Sequence, residues 1–241
     1  MQEHDLRRSL SDELHARAFH DFDGAGRFIR YVFLTSGDTA PVLDYINEFL
    51  LTNGHDPIAS GAKFLRLDMN GYALRVEQHT EFLSLSLIEK GHAARTGLLK
   101  DAFDATVTHL PLAWARGIPA PVFHAIWLEI GGKPPAGTTP ETMKERMQSR
   151  AIASNQFGGG AAQLHFAFDI DEAGFSRIAL YNEKISPNRM GRIVQRIVEL
   201  ETYRMLALLG FATVRENGAT LGRIERTVGG LTTDLAAQIK Q

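Results

Sequence analysis

The sequence predicts an α+β fold: a mainly antiparallel sheet, or sheets, with helices packed on one face. Three observations carry this. Apolar runs of strand length lie beside one another with turn residues between, most plainly Asn70-Gly71 between 63–69 and 72–79. Residues 82–88 alternate, with Leu83, Leu85 and Leu87 interleaved by Ser84 and Ser86, which marks a strand with two unlike faces. A long helical pattern follows Ser186, where Met190, Ile193, Val194, Ile197 and Val198 recur at three- and four-residue steps. Hairpins beside helices point to antiparallel pairing.

Residues 5–18 read as a short amphipathic helix with Leu6, Leu10 and Leu14 on one stripe. Residues 28–35 are apolar and β-rich. Gly37 and Asp38 end that run, and 39–52 takes helical spacing through Val42, Leu43, Ile46, Phe49 and Leu50. The hairpin and the alternating strand follow, and 97–109 reads as a helix. A Pro-rich stretch, 111–121, breaks the pattern. Strand-like residues 122–130, helical 139–150, and strands at 154–157, 163–170 and 175–181 lead to the long helix. Ser186 and Pro187 suit its start, and Gly210 sits where a left-handed stop belongs. Element order recurs, so two similar β-α-β-β-α halves, 20–110 and 121–211, are expected within one α+β domain over 1–220. Residues 221–241 carry Leu221, Ile224, Val228, Leu231, Leu235 and Ile239 at wide steps. They read as the start of a helical stalk, interrupted at Gly229-Gly230 and resumed at Thr233.

Composition narrows the function classes. The 241 residues are 44% hydrophobic and 22% charged with a net charge of −2, an ordinary globular balance without the basic excess that phosphate backbones attract. Nucleic acid is not an expected partner. The chain has no cysteine, which removes disulfides, thiolate nucleophiles and Cys-ligated metal centres. A reducing, cytoplasmic location is expected. The first residues lack an apolar leader core, and no apolar run approaches the ~20 residues that cross a bilayer.

Five residues are candidates for chemistry. Glu77, His79 and Glu81 are two apart, so on a strand they would share a face, and Glu77 with His79 could approach one metal ion. Their plainer reading is a solvated face with cross-strand ion pairs to Arg66 or Arg75. His15 and Arg17, near Glu13 at the end of the first helix, could hold an anion or simply complement the helix dipole. If that helix packs beside 72–79, the two groups meet in one catalytic or anion-binding site. Glu199, Glu201, Tyr203 and Arg204 read as helix ion pairs and support, and His124 and His165 as core histidines. Gly158–Gly160 precedes a strand, not a helix, so it is no phosphate loop.

Blocks LRRSLSDELHARAF (6–19), GYALRVEQHTEF (71–82), FGGGAAQLHFAFDI (157–170) and PNRMGRIVQRIVELETYRMLALL (187–209) occur in the order seen in the bacterial domain-of-unknown-function 3422 family, which this chain resembles. The resemblance implies a membrane-anchored parent protein whose hydrophobic segments lie in a C-terminal region absent from this chain. It supplies no reaction and no cofactor. The chain would then be either a piece of a longer protein or a short member. A sensor, scaffold or assembly module that self-associates is the leading expectation. The alternative is an enzyme or a small-anion or metal-binding domain built on the His/Glu/Arg cluster.

Overall fold

The computed structural model describes residues 22, 25–34, 38–89, 97, 98, 101–106 and 108–239. Residues 5–18, including His15 and Arg17, lie outside these. The chain forms two compact units, Met1–Val198 and Glu199–Gln241.

In the first unit one eight-stranded sheet is built from β1 (Gly26–Leu34), β2 (Phe64–Asp68), β3 (Ala73–Gln78), β4 (Phe82–Glu89), β5 (Val122–Gly131), β6 (Ile152–Phe157), β7 (Ala162–Ile170) and β8 (Ser176–Asn182). Their spatial order is β2-β3-β4-β1-β5-β8-β7-β6. Among the described residues six of the seven pairings are antiparallel and only β5–β8 is parallel, so the α+β class and the antiparallel character follow. Three tight turns build the hairpins. Gly71 (φ +88) closes β2–β3, and Gly158, Gly159 and Gly160, all at positive φ, close β6–β7. The short 79–81 turn joins β3 to β4, with His79 N–H donating to Phe82 O at 2.8 Å.

From the centre outward the strands run β1-β4-β3-β2 on one side and β5-β8-β7-β6 on the other, and each half has the chain order β-α-β-β-β-α. Strand polarity does not recur: β1 is antiparallel to β4, whereas β5 is parallel to β8.

Helices α1 (Ala40–Thr52), α2 (Leu112–Arg116) and α3 (Pro140–Arg146) lie against one face. Val42, Ile46, Leu50, Leu112, Ala115 and Met143 pack there with Ile29, Tyr31, Phe33, Leu85 and Trp127. The opposite face joins Ile126, Leu128, Ile130, Ile178 and Leu180 to Met190, Val194 and Val198 of α4 (Pro187–Ile239). Helices therefore cover both faces, where the sequence predicts one. The reason is β5: Ala125 and Trp127 alternate with Ile126, Leu128 and Ile130, so a central strand apolar on both sides needs a layer on each.

Three other expectations are corrected. The described residues of 97–109 are turns, with Gly97 at φ +76 and Phe103 at φ +65, because this segment turns its polar groups onto a buried arginine. The stretch 111–121 contains the one-turn helix α2. Gly210 does not end α4, nor does Gly229-Gly230 interrupt it: neither adopts a left-handed φ, and the helix continues to Ile239. A helix-interior glycine costs about 1 kcal/mol relative to alanine, a weakening that does not by itself terminate a helix.

The β5 terminus is tight. A Cβ at Gly131 would lie 2.5 Å from Gly97 O and 2.9 Å from Leu98 Cδ2. Gly131→Ala should cost about 1–3 kcal/mol through overpacking, read as a lowered urea midpoint. An unchanged midpoint would show that the 97–98 segment yields freely.

Candidate functional site

The face that carries α4 is not uniform. Along Ile126–Ile130 of β5 and Ile178–Leu180 of β8 it is apolar, but across β3, β4 and β1 the same face carries Arg75 and Glu77, Ser84 and Ser86, and Arg30. Register explains the cluster. Arg75 stands opposite Ser86, which stands opposite Arg30, and Glu77 stands opposite Ser84 one pleat along. All five are buried. Glu77 Oε1 accepts from Arg75 Nη2 at 2.6 Å, and its Oε2 accepts from Arg30 Nη2 and, at 3.4 Å, from Ser84 Oγ. Arg30 Nε donates to Ser86 Oγ at 3.2 Å. Burial opposes charge on Glu77, but the two guanidiniums, with a smaller contribution from His79, hold its carboxyl down to about 2. The cluster is an ionised clamp across three strands.

This geometry sorts the sequence candidates. Glu77 is central, but the site is buried, not solvated; Arg75 pairs with it along β3 itself rather than across strands, and the cross-strand partner is Arg30, which the sequence did not single out. His79 lies just past the end of β3, so it no longer shares the strand's alternation. Its ring stacks on Phe82 with centroids 3.8 Å apart, and it helps line a cavity of about 260 Å³ with Gly61, Lys63, Gln78 and Thr80. Glu81 is exposed in the turn. Both Glu77 oxygens are engaged, and among the described residues no group of three or more His, Asp or Glu could hold a metal ion.

His124 and His165 are buried, as core histidines should be. Ser154 Oγ and His165 Nδ1 lie 2.8 Å apart, and burial lowers the His165 pKa.

A second cluster, missed in the sequence, occupies the other face at the end of β1. Arg27 is fully buried. Its Nε donates to Glu129 Oε1 at 2.6 Å, its Nη1 to Asp101 Oδ2 at 3.2 Å and Thr108 Oγ1 at 3.1 Å, and its Nη2 to Asp101 O at 3.1 Å. Glu89 Oε2 completes the set at 3.4 Å, and the guanidinium lies 5.2 Å from the Trp127 ring centroid. Glu129 Oε1 also accepts from Trp127 Nε1 at 2.6 Å and Phe103 N–H at 3.3 Å, while Oε2 has no partner among the described residues. Burial pushes Glu129 up to about 7, offset only in part by Arg27 and the donors. A signal was available: a charge such as Glu129 inside Ile126–Ile130, an otherwise apolar run, needs a buried partner.

In the second unit Glu201 accepts from Arg204 Nε and Nη2 at 2.7 and 2.6 Å, the expected i,i+3 pair. Among the described residues, ten of the fifteen exposed large apolar side chains fall in this unit, so the exposure is concentrated there. Leu200, Tyr203, Val214, Leu221, Ile224, Val228 and Leu231 fit one heptad frame, with Leu200, Val214, Leu221 and Val228 at a and Tyr203, Ile224 and Leu231 at d. Ala207, Gly210 and Asn217 fill the remaining positions of that frame up to Leu231.

The family model described as "Protein of unknown function (DUF3422)" matches residues 2–241. No curated protein and no solved structure matches the chain. Among the described residues no helix is long and apolar enough to cross a membrane.

Glu77→Ala should cost about 3–5 kcal/mol in denaturant unfolding, because it strands Arg30 and Arg75 without their shared carboxylate; a loss under 1 kcal/mol would refute the clamp. The two carboxyls also predict opposite pH limbs. Glu77, lowered from 4.5 to about 2, contributes stability that is present above pH 4.5 and lost as pH falls to 2. Glu129, raised from 4.5 to about 7, keeps a proton that the unfolded chain has released, so its contribution is lost as pH rises from 4.5 to 7. Melting temperatures of Glu129→Gln should fall less over that upper window than those of the parent. Parallel curves would rule out Glu129 as the source.

Proposed function

This chain belongs to the DUF3422 family, and we propose that it is an assembly module whose C-terminal helix pairs with a second copy of itself. One observation carries the reading: the heptad stripe from Leu200 to Leu231, seven large apolar side chains exposed in one frame. A monomer has no reason to keep such a stripe wet, since each buried Leu, Ile or Val gains roughly 1.5–3 kcal/mol. The 3.5-residue repeat is the period that winds two helices into a left-handed supercoil.

The sheet supports this role by being self-sufficient. Its two charge clusters are spent inward, on joining strands, and the helix stripe is left as the associating surface. A cytoplasmic sensor or scaffold joined to a membrane by a stalk would use the same stripe, with the parent's anchor beyond the stalk.

Sedimentation velocity across a wide concentration range tests the reading. The intact chain should sediment as a dimer or larger species that dissociates on dilution. Ile224→Glu with Val228→Glu should leave a monomer with the parent's melting temperature. A strict monomer at the highest concentrations would overturn it.

A further inference from the structure

We propose that the outward side of the first turns of α4 docks on an anionic lipid surface. Residues 184–198 hold Lys184, Arg189, Arg192 and Arg196 and no acid, so this span carries +4 and the rest of the chain −6. The net charge of −2 conceals that separation. The helix then gathers three of the four cations. At 3.6 residues per turn, Arg189, Arg192 and Arg196 fall within an arc of about 60°. That arc lies opposite Met190, Val194 and Val198, which pack on the sheet. All three arginines are exposed, in a row about 10 Å long at 1.5 Å per residue. Like charges three and four residues apart repel along a helix, so an anionic surface laid over the row relieves a repulsion as well as making contacts.

An exposed apolar pair lies on the same side of the sheet. Phe166, Phe168 and Ile170 alternate along β7 on the face that carries α4. Phe166 joins the apolar layer there, its ring lies 4.9 Å from that of Phe168, and Ile170 stands opposite Ser176, two residues before Ile178. Phe168 and Ile170 are 52% and 62% exposed. The acids beside them are engaged by other groups: Asp169 accepts from the Arg150 N–H at 2.5 Å, and Asp171 from Arg177 Nε at 2.6 Å.

The combination selects among polyanions. A bilayer offers phosphates that guanidinium groups can grip bidentately, and hydrocarbon just beneath them for an aromatic ring and an isoleucine. Nucleic acid offers phosphates but no apolar layer for Ile170. A long polyanion would also meet the −6 carried by the rest of the chain, whereas a bilayer touches one side only. The inference is independent of helix pairing, because every residue it uses lies in the first compact unit.

The test is cosedimentation of the intact chain with vesicles of phosphatidylglycerol and phosphatidylcholine in equal parts. Pure phosphatidylcholine vesicles and random-sequence duplex DNA serve as the neutral surface and the competing polyanion. The chain should bind the mixed vesicles, not the neutral ones, and release as added salt screens the surface. Arg196→Gln should weaken binding about fivefold, and Arg189→Gln with Arg192→Gln and Arg196→Gln roughly a hundredfold, as expected when each cation near the surface acts separately. Phe168→Thr with Ile170→Thr should weaken it several-fold. Unchanged melting and sedimentation in each variant separate lost docking from lost folding or lost pairing. Equal binding to neutral vesicles, or undiminished binding by the triple glutamine variant, would overturn the proposal. DNA binding as tight as vesicle binding, with no loss in the threonine variant, would overturn it too and assign the arginines to a nucleic-acid backbone.

Discussion

β1 lies at mid-sheet with a neighbour on each side and a packed layer over each face, yet it carries arginines at 27 and 30. Guanidinium groups in such a place are tolerable only when every nearby strand supplies an acceptor. Arg30 takes its acceptors from β3 and β4, and Arg27 takes its own from β4, β5 and residues 101–108. The two side chains point to opposite faces and so tie both layers to one strand. The irregular course of the described residues of 97–109 follows from the same constraint. Asp101 gives both its carboxylate and its backbone oxygen to Arg27, a geometry that a regular helix through those residues would not offer.

The two clusters solve one problem differently. Around Glu77 two cations share one carboxylate, which stays ionised. Around Arg27 three carboxylates meet one cation, and the most deeply buried of them, Glu129, becomes easy to protonate. A proton on Glu129 relieves the cost of burying its charge, while Oε1 keeps the Arg27 contact.

Local signals made much of the architecture legible. Asn70-Gly71, the Leu/Ser alternation of β4 and the Gly158–Gly160 turn each act over a few residues, and the hairpins they imply are present. Ser186 and Pro187 marked the start of α4 for the same reason. What the sequence hid was set by distance. Nothing local says that Arg30 meets Glu77, or that Arg27 meets Glu129 across 102 positions. The described turn residues within 97–109 answer to that remote charge, so their apolar content misled. Gly210 misled in the other direction: glycine permits a left-handed stop but does not impose one. Of the candidate site, Glu77 was readable from alternate spacing, while its partners and its burial depend on pairings and layers that no window of sequence contains.

The lone parallel neighbour has a kinetic consequence. Strand β8 cannot reach β5 by a hairpin; the chain must first pass through α3, β6 and β7, so Ile126 waits for Ser176. Loop-closure entropy opposes so distant an encounter until β6–β8 have zipped together as a local meander. The amino-terminal four strands, by contrast, contain the short β2-β3-β4 ladder within 64–89 and can nucleate early. During synthesis the ribosome would thus release a half-sheet whose β1 edge stays open until the remaining strands emerge, an interval in which strand exchange between nascent chains competes with completion.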